Sequence, residues 1–115
     1  MPRKSIGEYE ISQIYPLYIE KVEKKGQTKE DLDRVIKWLT GHDDAGLARQ
    51  IESSVTLETF FDEAPQIHEN ADQVKGVICG IRVEEIEDPL VRNIRRLDKL
   101  VDELARGKAL DKILR

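Results

Sequence analysis

Cysteine, tryptophan and histidine are scarce in this chain: one Cys, one Trp and two His, with aromatic residues only 5% of the total. A single cysteine cannot close an intramolecular disulfide, so the chain is no disulfide scaffold, and this usage fits a reducing cytoplasm. No run of 18 or more apolar residues is present, so no transmembrane helix and no membrane partner are expected. Arg3 and Lys4 near the start have no apolar segment behind them, which argues against a secretory signal. Linkers rich in Pro, Ser or Gly are missing, as is any internal repeat. With two histidines, one cysteine and no phosphate-binding loop, neither a metal nor a cofactor is expected.

The chain has 115 residues, 37% of them charged, with a net charge of −4. That length suits a single domain spanning 1–115, and a domain of this size buries about two thirds of its unfolded surface. The mild acidity gives no general attraction to nucleic acid or anionic lipid.

Apolar spacing and cap residues predict an all-α fold, a compact irregular bundle of five or six helices packed orthogonally rather than up and down. Ile6 to Ile11 alternates like a short extended arm. Ser12 reads as the cap of a first helix to Lys25, with Pro16 in its first turn and Ile11, Ile14, Tyr15, Tyr18, Ile19 and Val22 at helical spacing. Thr28 caps a second helix with the stripe Leu32, Val35, Ile36, Leu39, closed by Gly41. Asp43 or Asp44 starts a third, to about Ser53, burying Leu47, Ala48 and Ile51. Thr56 starts a short fourth carrying Leu57, Phe60 and Phe61, ended before Pro65. From Asn70 the spacing of Val74, Val77 and Ile78 predicts a helix to about Cys79, followed by an irregular stretch. The apolar run 77–83 is compatible with a strand as well. Asp88-Pro89 opens a long helix with Leu90, Ile94, Leu97, Val101 and Leu104 inside, and a last short helix follows Gly107. The expected core is Leu32, Val35, Ile36, Leu39, Ile51, Phe60, Phe61, Val74, Ile78, Leu90, Ile94, Leu97, Val101 and Leu104.

Several blocks carry a resemblance across nearly the whole chain. They include Ile14-Tyr15-Pro16-Leu17-Tyr18-Ile19, Ile36-Lys37-Trp38-Leu39-Thr40-Gly41, Phe60-Phe61-Asp62-Glu63-Ala64-Pro65, Gly76-Val77-Ile78-Cys79-Gly80 and Val83-Glu84-Glu85-Ile86-Glu87-Asp88-Pro89-Leu90. In these the chain resembles a bacterial family known only as domain of unknown function 2200. The resemblance implies a small, mostly helical cytoplasmic protein and brings no catalytic residue or ligand with it. His42 departs from the pattern, where the family is expected to carry Tyr.

Four constellations bear on chemistry. Arg92, Arg95, Arg96 and Lys99, with Arg82 upstream, make an arginine face on the helix after Pro89, a candidate anion or partner surface. No aromatics interleave it and Asp98 and Asp102 interrupt it, which reads as a solvated, salt-bridged face. His42 and Asp43, with His68, are candidates for a polar pocket, although capping alone explains Asp43 and Asp44. Asp62-Glu63 has the atoms for proton transfer, yet paired acids at a helix end are normally solvated. Cys79 among Val77, Ile78 and Ile81 reads as a buried thiol rather than a nucleophile. Residues 28–53 superficially suggest helix-turn-helix, but its second helix would point Asp43 and Asp44 at phosphates. The expected function is that of a non-enzymatic interaction or accessory protein, acting on an unknown protein partner or as a homo-oligomer. The alternatives are a nucleic-acid-binding regulator using residues 28–53 or the arginine face, and a small enzyme using Cys79, His42 or the acidic loop residues.

Overall fold

The computed structural model describes residues 6–115; the basic start of the chain, Arg3 and Lys4, lies outside them. Six α-helices are present among these residues: α1 Ile11–Lys24, α2 Lys29–Thr40, α3 Asp44–Glu52, α4 Leu57–Asp62, α5 Pro89–Ala105 and α6 Leu110–Ile113. A small antiparallel hairpin, β1 Val77–Ile78 and β2 Ile81–Arg82, precedes α5. No helix among the described residues is long and apolar enough to cross a membrane.

The caps explain where the helices begin. Thr28 Oγ1 accepts from Asp31 N at 3.1 Å, Asp43 Oδ1 from Gly46 N at 2.6 Å, Thr56 Oγ1 from Thr59 N at 3.2 Å, and Asp88 Oδ1 from Leu90 N and Val91 N at 2.9 and 3.2 Å. Each satisfies a donor the helix itself leaves open. α2 ends at Gly41 in the left-handed region (φ 76°), where a Cβ would stand 2.9 Å from the Gln66 carbonyl oxygen. Gly41 thus lets the 65–68 segment cross close behind α2.

α1 starts earlier than its first polar cap suggests. Glu10, not Ser12, is the cap: its N–H donates to Gln13 Oε1 at 3.2 Å, and its backbone is extended. The expected arm is reduced to this point, because Ile6–Glu8 forms a 3-10 turn and Glu10 bridges Thr56. Tertiary pairing sets the start, since Ile11 N donates to Val55 O and Leu57 N to Tyr9 O, both at 2.8 Å. Pro16 consequently lies inside α1, on its exposed side.

Residues 70–79 are not helical. A 3-10 turn at Ala71–Gln73 gives way to the hairpin. Gly76, Cys79 and Gly80 all have positive φ (113°, 52° and 77°), which an α-helix cannot contain. Cys79-Gly80 is a two-residue loop with both central residues left-handed, the turn that matches strand twist. Asn70 precedes the 3-10 turn without a side-chain cap bond, and its Nδ2 donates instead to the Arg115 carbonyl oxygen at 2.8 Å.

The core gathers α1, α2, α4 and α5. Leu32, Val35, Ile36, Leu39, Phe60, Phe61, Val74, Ile94, Leu97, Val101 and Leu104 are all buried, as expected. Ile51 and Leu90 are only half-buried at its edge, and Ile78 is half-buried on the hairpin. Ala48 is exposed, because α3 turns Leu47 and part of Ile51 toward the bundle and leaves Ala48 on an open cleft. Leu57, Leu100, Val83 and Ile113 are buried too, as are Ile11, Tyr15, Tyr18 and Val22 along α1.

Candidate functional site

The arginine face is held largely by its own chain. Arg92 Nε donates to Ile86 O at 2.9 Å and its Nη2 to Glu87 O at 3.0 Å, fastening the loop ahead of α5. Arg95 pairs with Asp98 at 3.1 Å, and Arg96 Nη1 donates to Asn93 Oδ1 at 3.1 Å. Arg96 is half-buried rather than fully on the polar side. Burial, and then the neighbouring Arg92 charge, lower its pKa, and its Nε has no partner. Arg82 is exposed on β2.

The polar pocket forms in part. Gly41, His42, Asp43, Gly46, Arg49, Gln50, Glu63 and Pro65 line an open groove of about 690 Å³ at the start of α3. His42 is only 6% exposed and stacks on Phe60, centroids 5.0 Å apart. His68 does not join it. Its ring stacks on Trp38 at 4.3 Å, its Nδ1 accepts from Asn70 N at 3.0 Å, and it lines a separate groove beyond Gly41. No three His, Cys, Asp or Glu side chains among the described residues are arranged to hold a metal ion.

Asp62 and Glu63 diverge. Glu63 accepts from Gln50 Nε2 at 3.0 Å in the His42 groove, whereas Asp62 lines a shallow groove with Pro89, Leu90 and Asn93. They are therefore not a dyad in which one carboxylate tunes the other. Cys79 is exposed at the hairpin tip, which corrects the expectation of a buried thiol. The apolar neighbours that suggested burial face outward themselves: Val77 is 50% and Ile81 43% exposed. Cys79 lines neither histidine groove.

A further cleft of about 400 Å³ carries a constellation that no sequence spacing announced. Tyr15 of α1, Lys29 and Asp33 of α2, and Asp44, Leu47, Ala48, Ile51 and Glu52 of α3 line it. The Tyr15 hydroxyl donates to Asp33 Oδ1, and Lys29 Nζ donates to Asp33 Oδ2 at 3.1 Å. Burial, then the Asp33 bond, push the Tyr15 phenol up to about 12. The Asp33 bond, followed by that of Tyr15, raises Lys29. Lys37, bonded to Asp44 at 2.7 Å, lowers that carboxyl. The aromatic and acidic residues lie 18 apart in sequence, so only the packing of α1 on α2 joins them.

On the opposite side of α1 lies an apolar groove of about 260 Å³. It is lined by Ile6, Tyr9, Ile14, Leu17, Tyr18, Leu57 and Ile94, with Arg95 and Asp98 on its rim. Leu17 is 58% and Tyr9 41% exposed. Tyr18, by contrast, is buried and its hydroxyl donates to Asp98; burial, then the Asp98 charge, keep that phenol well above its ordinary pKa.

No curated protein matches the chain. A crystal structure of the uncharacterized protein SP1917 is similar over 98% of this chain and 94% of its own, at 39% identity and a TM-score of 0.90. With the family model matching residues 5–115, the chain belongs to the family described as uncharacterized proteins conserved in bacteria (DUF2200).

Proposed function

We propose that the chain is a small non-enzymatic interaction protein of the cytoplasm, and that it associates with a second copy of itself through the surface around Leu17. The exposure of Leu17 over the groove of Ile6, Ile14, Leu57 and Ile94 carries this reading. Leu17 keeps 58% of its exposure, so covering it is worth roughly 1–2 kcal/mol, and a two-fold contact gains this twice. The exposed Cys79 supports a reducing compartment, since an oxidising one favours joining such thiols between molecules. Nucleic-acid binding has less support: Arg92, Arg95 and Arg96 already serve acceptors in their own chain.

Sedimentation velocity on wild type and Leu17→Arg tests the proposal, over about 1–100 µM, the span in which a modest interface titrates. Wild type is expected to shift toward a dimer as concentration rises, while Leu17→Arg stays monomeric and melts at the same temperature. A wild-type protein that remains monomeric throughout overturns self-association. Binding to DNA or RNA that weakens steeply with added salt would replace the proposal with the nucleic-acid reading.

A further inference from the structure

His68 joins three parts of the fold. Its N–H donates to Leu39 O in the last turn of α2 at 3.0 Å, and its carbonyl oxygen accepts from Ala71 N at 2.9 Å. Its half-buried ring lies against the Trp38 indole, centroids 4.3 Å apart and planes 23° from parallel. Its Nδ1 accepts from the backbone N–H of Asn70 at 3.0 Å. That N–H has no other acceptor among the described residues. Asn70 in turn reaches the chain end, since its Nδ2 donates to the Arg115 carbonyl oxygen at 2.8 Å. One ring nitrogen therefore fastens the 3-10 turn at Ala71–Gln73, and through Asn70 the chain end, to the edge of α2.

The bond from Asn70 requires one protonation state of the ring. Nδ1 accepts an N–H only with its lone pair free, so the ring is neutral and its proton sits on Nε2. A second proton has one place to go, Nδ1, and turns the acceptor into a donor facing another donor. Rotating the ring half a turn does not restore the bond, because a carbon then stands where Nδ1 stood. The stack on Trp38 survives the change, since an indole face attracts a cation. Charging the ring thus releases Asn70 while His68 itself stays on α2. Charged groups around the ring come from three places. Lys37 of α2 lines the same groove with its ammonium 2.7 Å from Asp44, and Glu69, also in the lining, is exposed. Arg115, beyond Asn70, has its guanidinium on Glu103. None of them is bonded to the Asn70 N–H.

We propose that His68 is an acid-sensitive clasp: the neutral ring holds Asn70 and the turn that follows it against α2, and the imidazolium lets them go. The freed turn leads into Val74, which is buried in the core, and on to the hairpin. Acid therefore loosens the connection between α4 and α5. The device is separate from the Leu17 surface and stands or falls independently of self-association.

The test is amide hydrogen exchange of Asn70 in the full chain from about pH 8 to about pH 5, the range in which histidines change charge. The ring nitrogens of His68 are followed by NMR across the same range. Each exchange rate is divided by the unfolded-chain rate at that pH, so that only protection remains. Protection at Asn70 is expected to fall by about tenfold or more as the His68 ring charges, following His68 rather than His42. His68→Asn supplies the control, because an Asn side-chain oxygen also accepts from the N–H two residues on and does not titrate. It should keep Asn70 protected at every pH. His68→Phe, which retains a ring for Trp38 but no acceptor, should leave Asn70 unprotected throughout. Protection that stays constant as His68 charges overturns the proposal, as does a ring that stays neutral across the range or an equal loss in His68→Asn. If a variant does not fold, the wild-type titration decides alone, on whether Asn70 opens together with His68.

Discussion

At the scale of single residues, position on α5 decides what a substitution costs. Leu97 is fully buried on the stripe with Ile94, Val101 and Leu104. Leu97→Asp places a carboxylate within the hydrophobic core, at a cost of several kcal/mol out of the roughly 5–15 kcal/mol a domain possesses. Thermal melts should show it unfolded or severely destabilised. Arg96, one residue earlier, is half-buried, and its guanidinium lacks a partner at Nε and lies under the charge of Arg92. Arg96→Ala sheds that unfavourable burial along with the packing of the alkyl stem, so its net effect should stay below about 1 kcal/mol. If Arg96→Ala were the more damaging change, the helix register would be at fault. Leu97 is legible from its spacing of seven after Leu90 and four before Val101. The half-burial of Arg96 is not legible, because it depends on what packs against that flank.

At the scale of elements, the hairpin shows most clearly how one pattern serves two structures. Val74, Val77, Ile78 and Ile81 satisfy helical spacing, yet Val77 and Ile81 face solvent. Gly76 and Gly80 tip the balance: each weakens a helix, and each readily takes the positive φ that the turn demands. Cys79 has no such licence, since a left-handed conformation costs most L-residues roughly 1–2 kcal/mol. Cys79→Asn creates the preferred Asn-Gly turn and should raise stability by up to about 1 kcal/mol. Gly80→Val should lower it, since φ is 77° there. The effect reaches the whole domain because Val83, fully buried, anchors the hairpin through its N–H to Gly76 O at 3.0 Å. Denaturant midpoints of the two variants check this, and equal midpoints would mean the hairpin is uncoupled from the core. The helices themselves are far more legible. Thr28, Asp43, Thr56 and Asp88 act as caps where their type and position predict.

At the scale of the molecule, α1 is held on both sides by tyrosines. Tyr15 ties it to α2 through Asp33, and Tyr18 ties it to α5 through Asp98. Both phenols have raised pKa values, Tyr15 to about 12, with burial as the first cause in each. The folded protein thus holds these protons more tightly than the unfolded chain does. Their contribution is complete below the ordinary tyrosine pKa of about 10 and is lost as pH rises toward the folded values. Urea midpoints measured from about pH 9 to 11.5 should fall for wild type. The Tyr15→Phe/Tyr18→Phe variant should be less stable at the start, by about 0.5–1.5 kcal/mol per lost hydrogen bond, and should fall less across the same window. Parallel curves for the two proteins would remove the tyrosines from the alkaline transition. The chain end is tied in as well, with Arg115 Nη2 at 2.9 and 2.8 Å from the two carboxylate oxygens of the buried Glu103.

The sequence by itself determined the helical class, the cap residues, the inner stripes of α2 and α5 and the membership of a family. All of these follow from local rules: a period near 3.6, an oxygen placed to receive free N–H groups, a glycine where the chain turns left-handed. The tertiary structure decided the rest. It moved the start of α1 to Glu10 through pairing with Val55 and Leu57, and turned 77–82 into a hairpin. It parted His42 from His68 and Asp62 from Glu63, and it brought Tyr15 against Asp33 and Tyr18 against Asp98, partners 18 and 80 residues away. The physical reason is the same throughout. Periodicity shows which face of a helix is apolar, but not which other element covers it. The grooves and the exposed Leu17 are both products of that covering.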